Sequence, residues 1–410
     1  MSTALGREGR RPWLALIGIG EDGVEGLTSP ARALLGGASL VVGGARHLRL
    51  AGALIQGERL AWPSPMQDAY PAILARAGQD VAVLASGDPY CYGVGSALAG
   101  LVPAAEILCV PAPSAFSLAC ARLGWALQDA ATVSFCGRPL QAAIPLLQPR
   151  ARLLALSADG ATPRALATLL TQRGFGPSTM HLLEAMGGPQ ERMRSCTAAG
   201  FAFDDVGSLN LVAVELVAGP GAVVVPLAAG LADEAFDHDG QLTKQEVRAM
   251  TLAALAPRAG EVLWDLGAGS GSVGIEWCLR SRGTAFAIEA RADRAGRALR
   301  NAMALGAVTL EVVVGEAPGA LSRLPTPDAV FIGGGLQRPG VLDTVWGALR
   351  QGGRLVANAV ALDTQAMLFE AQARLGGTLT RLAVERLDQI GTMRAFRPAM
   401  AVVQWAVVKR

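Results

Sequence analysis

Residues 261–272 read Glu-Val-Leu-Trp-Asp-Leu-Gly-Ala-Gly-Ser-Gly-Ser. The apolar start has the length and pattern of a buried strand closing at Asp265. The chain then turns through Gly267, Gly269 and Gly271 into a helix expected from about Ser272. Glycine lets a ligand approach the backbone closely, and a helix N-terminus offers it free N–H groups. The spacing is GxGxG with serine at 272, so the dinucleotide fingerprint GxGxxG is not met.

Working outward, the second half of the chain has a regular order. Strands are expected at 261–266, 284–289, 309–314, 328–332 and 353–358, with helices between them and two longer β segments at 379–388 and 399–408. This is a doubly wound α/β sheet with a terminal antiparallel β pair. Thr243-Lys244-Gln245-Glu246 reads as a capping box, with Thr243 as N-cap of a helix over 244–256. The second strand ends in Glu289, an acid placed to accept both hydroxyls of an adenosine ribose. Gly315-Glu316-Ala317 closes the next strand, where an adenine would be edged. In open α/β sheets ligands bind at these carboxyl ends. Taken singly, the glycines are a tight turn and Glu289 a solvated carboxylate; their joint position at successive strand ends points to a site. Gly333-Gly334-Gly335 follows the fourth strand and reads either as room for a bulky planar substrate or as a plain turn.

Composition sets the outer limits. The 410 residues suit two domains. Hydrophobic residues are 51% of the chain and aromatics only 5%, so Ala, Val and Leu carry the core. A net charge of +2 gives no bulk case for nucleic acid or an anionic membrane. The six cysteines form no CxxC pair and the three histidines no HxxxH, so reduced thiols and no metal site are expected. No segment of membrane-spanning length is continuously apolar, and MSTALGREGRRPW has no signal-peptide run. A cytoplasmic enzyme is the expectation.

The first half is also α/β. Strands are expected at Trp13–Gly20, Ser39–Val42, Val81–Ala85, Ile107–Val110, Thr132–Phe135, Leu153–Leu156, His181–Glu184 and Leu209–Leu216. Ser29-Pro30 reads as an N-cap and first helical residue. Ile17–Gly23 (IGIGEDG) contains GxGxxG and alone suggests NAD. Against that, the next strand runs into Gly43-Gly44 with no acid, and the helix begins only near Pro30. More telling are Ser86-Gly87-Asp88-Pro89, Val110–Ala115 (VPAPSA) with Ser114 as a helix cap, and Phe135–Arg138 (FCGR). Ala218-Gly219-Pro220-Gly221 breaks the pattern. Domains are expected at 1–218 and 241–410, with 219–240 connecting them.

The segments LTKQEVRAMTLAAL, WDLGAGSGSVGIEW, AIEARADRAGRALRNAMALG, GEAPGAL, DAVFIGGG and GGRLVANAV make the second half resemble a class I S-adenosylmethionine-dependent methyltransferase. More narrowly, it is similar to the decarboxylating precorrin methyltransferases of cobalamin synthesis. The resemblance implies donor contacts at Thr243, Gly267, Ala268, Gly269, Ser270, Gly271, Glu289, Gly315, Glu316 and Ala317. The first half, over roughly 12–217, resembles the tetrapyrrole (precorrin) methylase fold, or class III, built of two α/β subdomains. That family's first loop carries a proline where this chain has Glu21 followed by Asp22. Gly87, Asp88, Ser114 and Ala115 carry over as its donor contacts.

Together the halves imply two S-adenosylmethionine sites per chain, with precorrin-6Y methylated at carbons 5 and 15, the ring C acetate decarboxylated and precorrin-8 formed. The first half would methylate carbon 5; the second would decarboxylate and methylate carbon 15. The expected partner is a small-molecule tetrapyrrole, with no nucleic acid or membrane, in a homo-oligomer. No catalytic side chain is singled out, because the nucleophile is a ring carbon and the donor is already a sulfonium. Arg138, Arg192, Arg194, Arg248, Arg338, Arg394 and Arg397 are candidates to hold substrate carboxylates. A cobalt-containing substrate remains an alternative, as, more distantly, do an NAD-dependent oxidoreductase and a non-catalytic binding protein.

Overall fold

The computed structural model describes residues 11–410. The reading of the first ten residues as leader-free lies outside them. The chain forms two compact units. One runs to Arg138 and resumes over Gln148–Val223; the other comprises Pro139–Leu147 and Val224–Arg410.

The first unit contains two five-stranded sheets. One is wholly parallel, in the order Glu58–Ala61, Leu40–Gly43, Val81–Ser86, Leu14–Ile19, Ile107–Val110. All six residues of Leu14–Ile19 are buried, because an inner parallel strand is covered on both faces and so reads as an unbroken apolar run. The other sheet is mostly antiparallel, in the order Ala130–Ser134, Arg152–Leu156, Asn210–Glu215, Thr179–Glu184, Arg192–Thr197. Glu58–Ala61 and Arg192–Thr197 were not expected. Both are exposed polar edge strands, which carry no apolar signal. The N-cap of the helix Ser29–Gly37 is Thr28, whose hydroxyl accepts from Ala31 N–H at 3.4 Å. Pro30 therefore sits at the second helical position, one residue later than the sequence suggested.

The second unit has a seven-stranded sheet. Its order is Leu310–Val314, Thr284–Glu289, Val262–Leu266, Ala329–Ile332, Arg354–Ala359, Val402–Val408, Thr378–Leu382. The first five strands are parallel and the last two antiparallel. The expected segment 379–388 is divided. Its second part, Glu385–Ile390, leaves the sheet and pairs with Met393–Pro398 as a separate ribbon. The turn between them is Gly391-Thr392, with Gly391 at φ +62°. A glycine-led two-residue turn is a hairpin signal that the sequence reading passed over.

The expected capping box does not form. The helix is Gln245–Leu255 and its N-cap is Lys244, with no side-chain cap. Arg248, wholly buried, donates to the carbonyl of Thr243, and Glu246 pairs with Arg386. With Lys244 as N-cap, Thr243 lies one residue too early for its hydroxyl to cap the helix, and the Glu246 carboxylate is turned to Arg386 instead. Arg248 also donates to Glu276 Oε1 at 2.6 Å and to Asp233 at 3.2 Å. Glu276 in turn accepts from Gly230 and Leu231 N–H at 2.7 and 2.9 Å. Residues 224–240 are thereby tied down, with Val225, Leu231 and Phe236 buried. The segment Pro139–Leu147 packs within this unit too. A Cβ on Gly306 would lie 2.6 Å from Pro145 Cδ and 2.9 Å from Ile144 Cβ.

Candidate functional site

The second unit holds a cavity of about 690 Å³ at the carboxyl ends of its parallel strands. Thr243, Gly267, Ala268, Gly269, Glu289, Gly315, Glu316 and Ala317 all line it. Ser270 and Gly271 do not. Ser270 is buried with an unpartnered hydroxyl. Gly271 is at φ +78°, and a Cβ there would lie 2.9 Å from Ala298 Cβ, so it is glycine for helix packing.

The two lining glycines have separate reasons. Gly267 is at φ +69°, and its Cβ would sit 2.8 Å from the backbone of Gly334. The run Gly333–Gly335 is thus accounted for in part by close packing of two loops. Gly269 is at φ +58° and faces Gln241 O, 3.3 Å from a would-be Cβ. Its N–H donates to Glu289 Oε2 at 2.9 Å, while Arg291 N–H donates to Oε1 at 3.0 Å. Each carboxylate oxygen keeps a further lone pair for a ligand hydroxyl. Asp265 lies behind the wall. One of its oxygens accepts from Gly274 N–H at 2.9 Å and the other has no partner. Complete burial, with a smaller contribution from Glu289, pushes its pKa up to about 7.

These features fit an adenosyl sulfonium ligand. They offer a side-chain-free cradle at Gly267 and Gly269, a fixed carboxylate for a ribose diol, and helix N-termini without side-chain caps.

The first unit holds a cavity of about 300 Å³. Gly87, Ser114 and Ala115 line it; Asp88 does not. The Asp88 carboxylate turns back to accept from Tyr90 N–H at 2.8 Å, which shapes the turn. Ser114 caps the helix Ala115–Leu123, accepting from Ser117 N–H at 3.1 Å. The glycine motif at 18–23 serves packing. A Cβ on Gly18 would fall 1.8 Å from Gly87 O and 2.4 Å from Ala112 N. Only a four-residue 3-10 helix, Gly23–Gly26, meets the motif, and the α-helix starts at Ser29.

Sequence reasoning missed a polar cluster on this cavity wall: Glu21, Arg46, His47 and Ser86. Arg46 pairs with Glu21 and donates to Ser86 Oγ at 2.7 Å. His47 Nε2 lies 2.8 Å from both Arg46 Nη2 and Ser86 Oγ. Burial, and then the Arg46 charge, lower the His47 pKa to about 4, so the ring is neutral near pH 7. The scarcity of histidine was the one available signal.

The proposed arginines divide. Arg192 and Arg194 both hold Glu184 and Asp205. Arg248 is buried in its own network. These three are structural, correcting their candidacy. Arg138 lies over the Tyr92 ring at 5.1 Å. Arg338 pairs with Glu316, and Arg397 with Asp388 at 2.9 Å. No ion pair of Arg394 is found among the described residues.

Two families match the chain. The tetrapyrrole (corrin/porphyrin) methylases match residues 14–202, and the precorrin methyltransferase domain matches residues 234–409. Precorrin-6Y C(5,15)-methyltransferase [decarboxylating] of a Sinorhizobium species is 53% identical over 399 residues, 97% of each chain. The enzyme of the same name from Mycobacterium tuberculosis is 41% identical over 401 residues, covering 97% of this chain and all of that one. A probable cobalt-precorrin-6B C(15)-methyltransferase (decarboxylating) from Pyrobaculum calidifontis is 33% identical over 188 residues, covering 43% of this chain and 96% of that one. The donor of such methyltransferases is S-adenosylmethionine and the substrate a tetrapyrrole. No helix among the described residues is long and apolar enough to cross a membrane. The chain belongs to the decarboxylating precorrin-6Y C(5,15)-methyltransferases of cobalamin biosynthesis.

Proposed function

We propose that each unit binds its own S-adenosylmethionine, the second for decarboxylation with carbon 15 methylation and the first for carbon 5 methylation, on the cobalt-free macrocycle. The observation carrying the two-site reading is that each unit has a glycine-walled cavity at its strand ends. The relative from Pyrobaculum calidifontis supports the division of labour, since a chain of about half this length is named for the carbon 15 and decarboxylation steps alone.

When bound, S-adenosylmethionine supplies an electrophilic methyl group on a sulfonium. In the second unit Glu289 would hold the ribose hydroxyls, Gly267–Gly269 would pass beneath the ligand, and Thr243 with Gly315–Ala317 would flank it. Neutral backbone N–H groups hold the Glu289 carboxylate, so its orientation is set before any ligand arrives. In the first unit Gly87, Ser114 and Ala115 would line the donor site, with Asp88 shaping their turn. The Glu21–Arg46 pair leaves that wall without net charge, and neutral His47 beside Ser86 keeps it polar. Alignment of donor and ring carbon supplies much of the acceleration. Loss of carbon dioxide sends its electron pair into the conjugated macrocycle, which needs no protein nucleophile.

Calorimetric titration of the full chain with S-adenosylmethionine tests the proposal. Two donor equivalents per chain are expected; one equivalent rejects the two-site reading.

A further inference from the structure

Glu385–Ile390 and Met393–Pro398 form a ribbon whose base borders the second cavity, through Arg386, Ala399 and Met400. In its register Arg386 stands directly opposite Arg397. Like charges facing each other across two strands are locally unfavourable. Here each has a separate carboxylate: Glu246 for Arg386 and Asp388 for Arg397.

Exposure separates these ion pairs from the buried pair Arg248–Glu276 of the same unit. Arg248 and Glu276 are both 0% exposed, so neither could change partner cheaply. Arg386 and Glu246 are 47% and 45% exposed, and Arg397 and Asp388 are 65% and 45% exposed. Such pairs contribute little and exchange readily. Glu246 and Arg386 also come from different walls of the cavity, the start of the helix Gln245–Leu255 and the ribbon. Met400, 78% exposed, adds an apolar surface beside them. Two adjacent cations next to an exposed apolar side chain match a flat ring fringed with carboxylates.

We propose that Arg386 and Arg397 form a carboxylate-binding pair for the tetrapyrrole, and that Glu246 occupies Arg386 until a substrate carboxylate replaces it. Glu246 is then a competitor for the site, and removing its charge strengthens substrate binding. A merely structural ion pair predicts the opposite sign.

The experiment is steady-state kinetics of carbon 15 methylation on precorrin-6Y with the full chain, alongside donor titration and the mass of the assembly. Arg386→Gln and Arg397→Gln are each expected to raise KM for the tetrapyrrole about ten-fold, the worth of one charge-assisted hydrogen bond. Donor affinity and assembly mass stay at the parent values. Glu246→Gln is expected to lower KM. An unchanged KM in Arg386→Gln overturns the proposal. So does a rise in KM for Glu246→Gln, a matching loss of donor affinity, or a changed assembly mass. The inference rests on assigning carbon 15 methylation to the second cavity, so Gly269→Val is measured in parallel. Retention of carbon 15 methylation there rejects that assignment. Its loss, with KM unmoved in Arg386→Gln, rejects the arginine pair alone.

Discussion

The backbone N–H of Gly269 donates to Glu289 Oε2 at 2.9 Å, joining the glycine turn to the end of the neighbouring strand. The carboxylate is aimed by the same loop that the donor would lie against. In Glu289→Gln an amide replaces one acceptor oxygen, and either Gly269 or Arg291 loses its partner. Leaving such a group unpaired costs about 1–3 kcal/mol. Calorimetry is expected to show weaker donor binding at one site and parent affinity at the other.

Gly18→Ala is the counterpart in the first unit. Its Cβ would lie 1.8 Å from the carbonyl oxygen of Gly87, and backbone cannot yield as a flexible side chain can. The expected result is loss of carbon 5 methylation with carbon 15 methylation retained, read by the mass and position of the added methyl groups. Gly269→Val, strained at φ +58°, is expected to give the reverse.

Buried Asp265 and half-buried His47 give pH dependences of opposite sign. Asp265 has its pKa raised to about 7, so the folded chain holds a proton there that the unfolded chain releases at lower pH. Its contribution to stability is full in acid and is lost as pH rises through about 7. His47 is lowered to about 4, so its contribution is present above its ordinary pKa near 6.5 and is lost as pH falls toward 4. Urea midpoints measured against pH are expected to fall less steeply toward pH 7 in Asp265→Asn than in the parent. They are expected to fall less steeply toward pH 4 in His47→Gln.

Arg248→Met removes the closer guanidinium from buried Glu276, leaving Arg280 at 3.9 Å and the N–H groups of Gly230 and Leu231. Breaking a buried pair in this way costs about 3–5 kcal/mol. A comparable drop in unfolding free energy is expected in urea. Donor affinity at the second site is expected to fall too, because Arg248 holds the carbonyl of Thr243 on the cavity wall.

Much of the second unit was legible because each requirement is local. A strand buried on both faces must be apolar along its length, as in Ala329–Ile332. A turn with positive φ favours glycine, as at Gly267 and Gly269. Two polar edge strands, Glu58–Ala61 and Arg192–Thr197, escaped notice because solvent on one side relaxes the demand for apolar residues. The capping box failed for a different reason. The residue types were right, but the helix starts one residue later, behind Lys244, and Arg386 takes the Glu246 carboxylate.

The sequence by itself determined the two α/β halves, the parallel order of the second and the acid and glycines at its strand ends. Those follow from backbone conformation and burial, which constrain residue type position by position. Only the tertiary structure decided that Gly18 packs against Gly87, that Asp88 turns away from the cavity, and that Arg46, His47 and Ser86 meet on its wall. It alone brought Arg386 opposite Arg397 beside Glu246. Each of those outcomes depends on which distant backbones come within a few ångströms, and no residue's own preference records that.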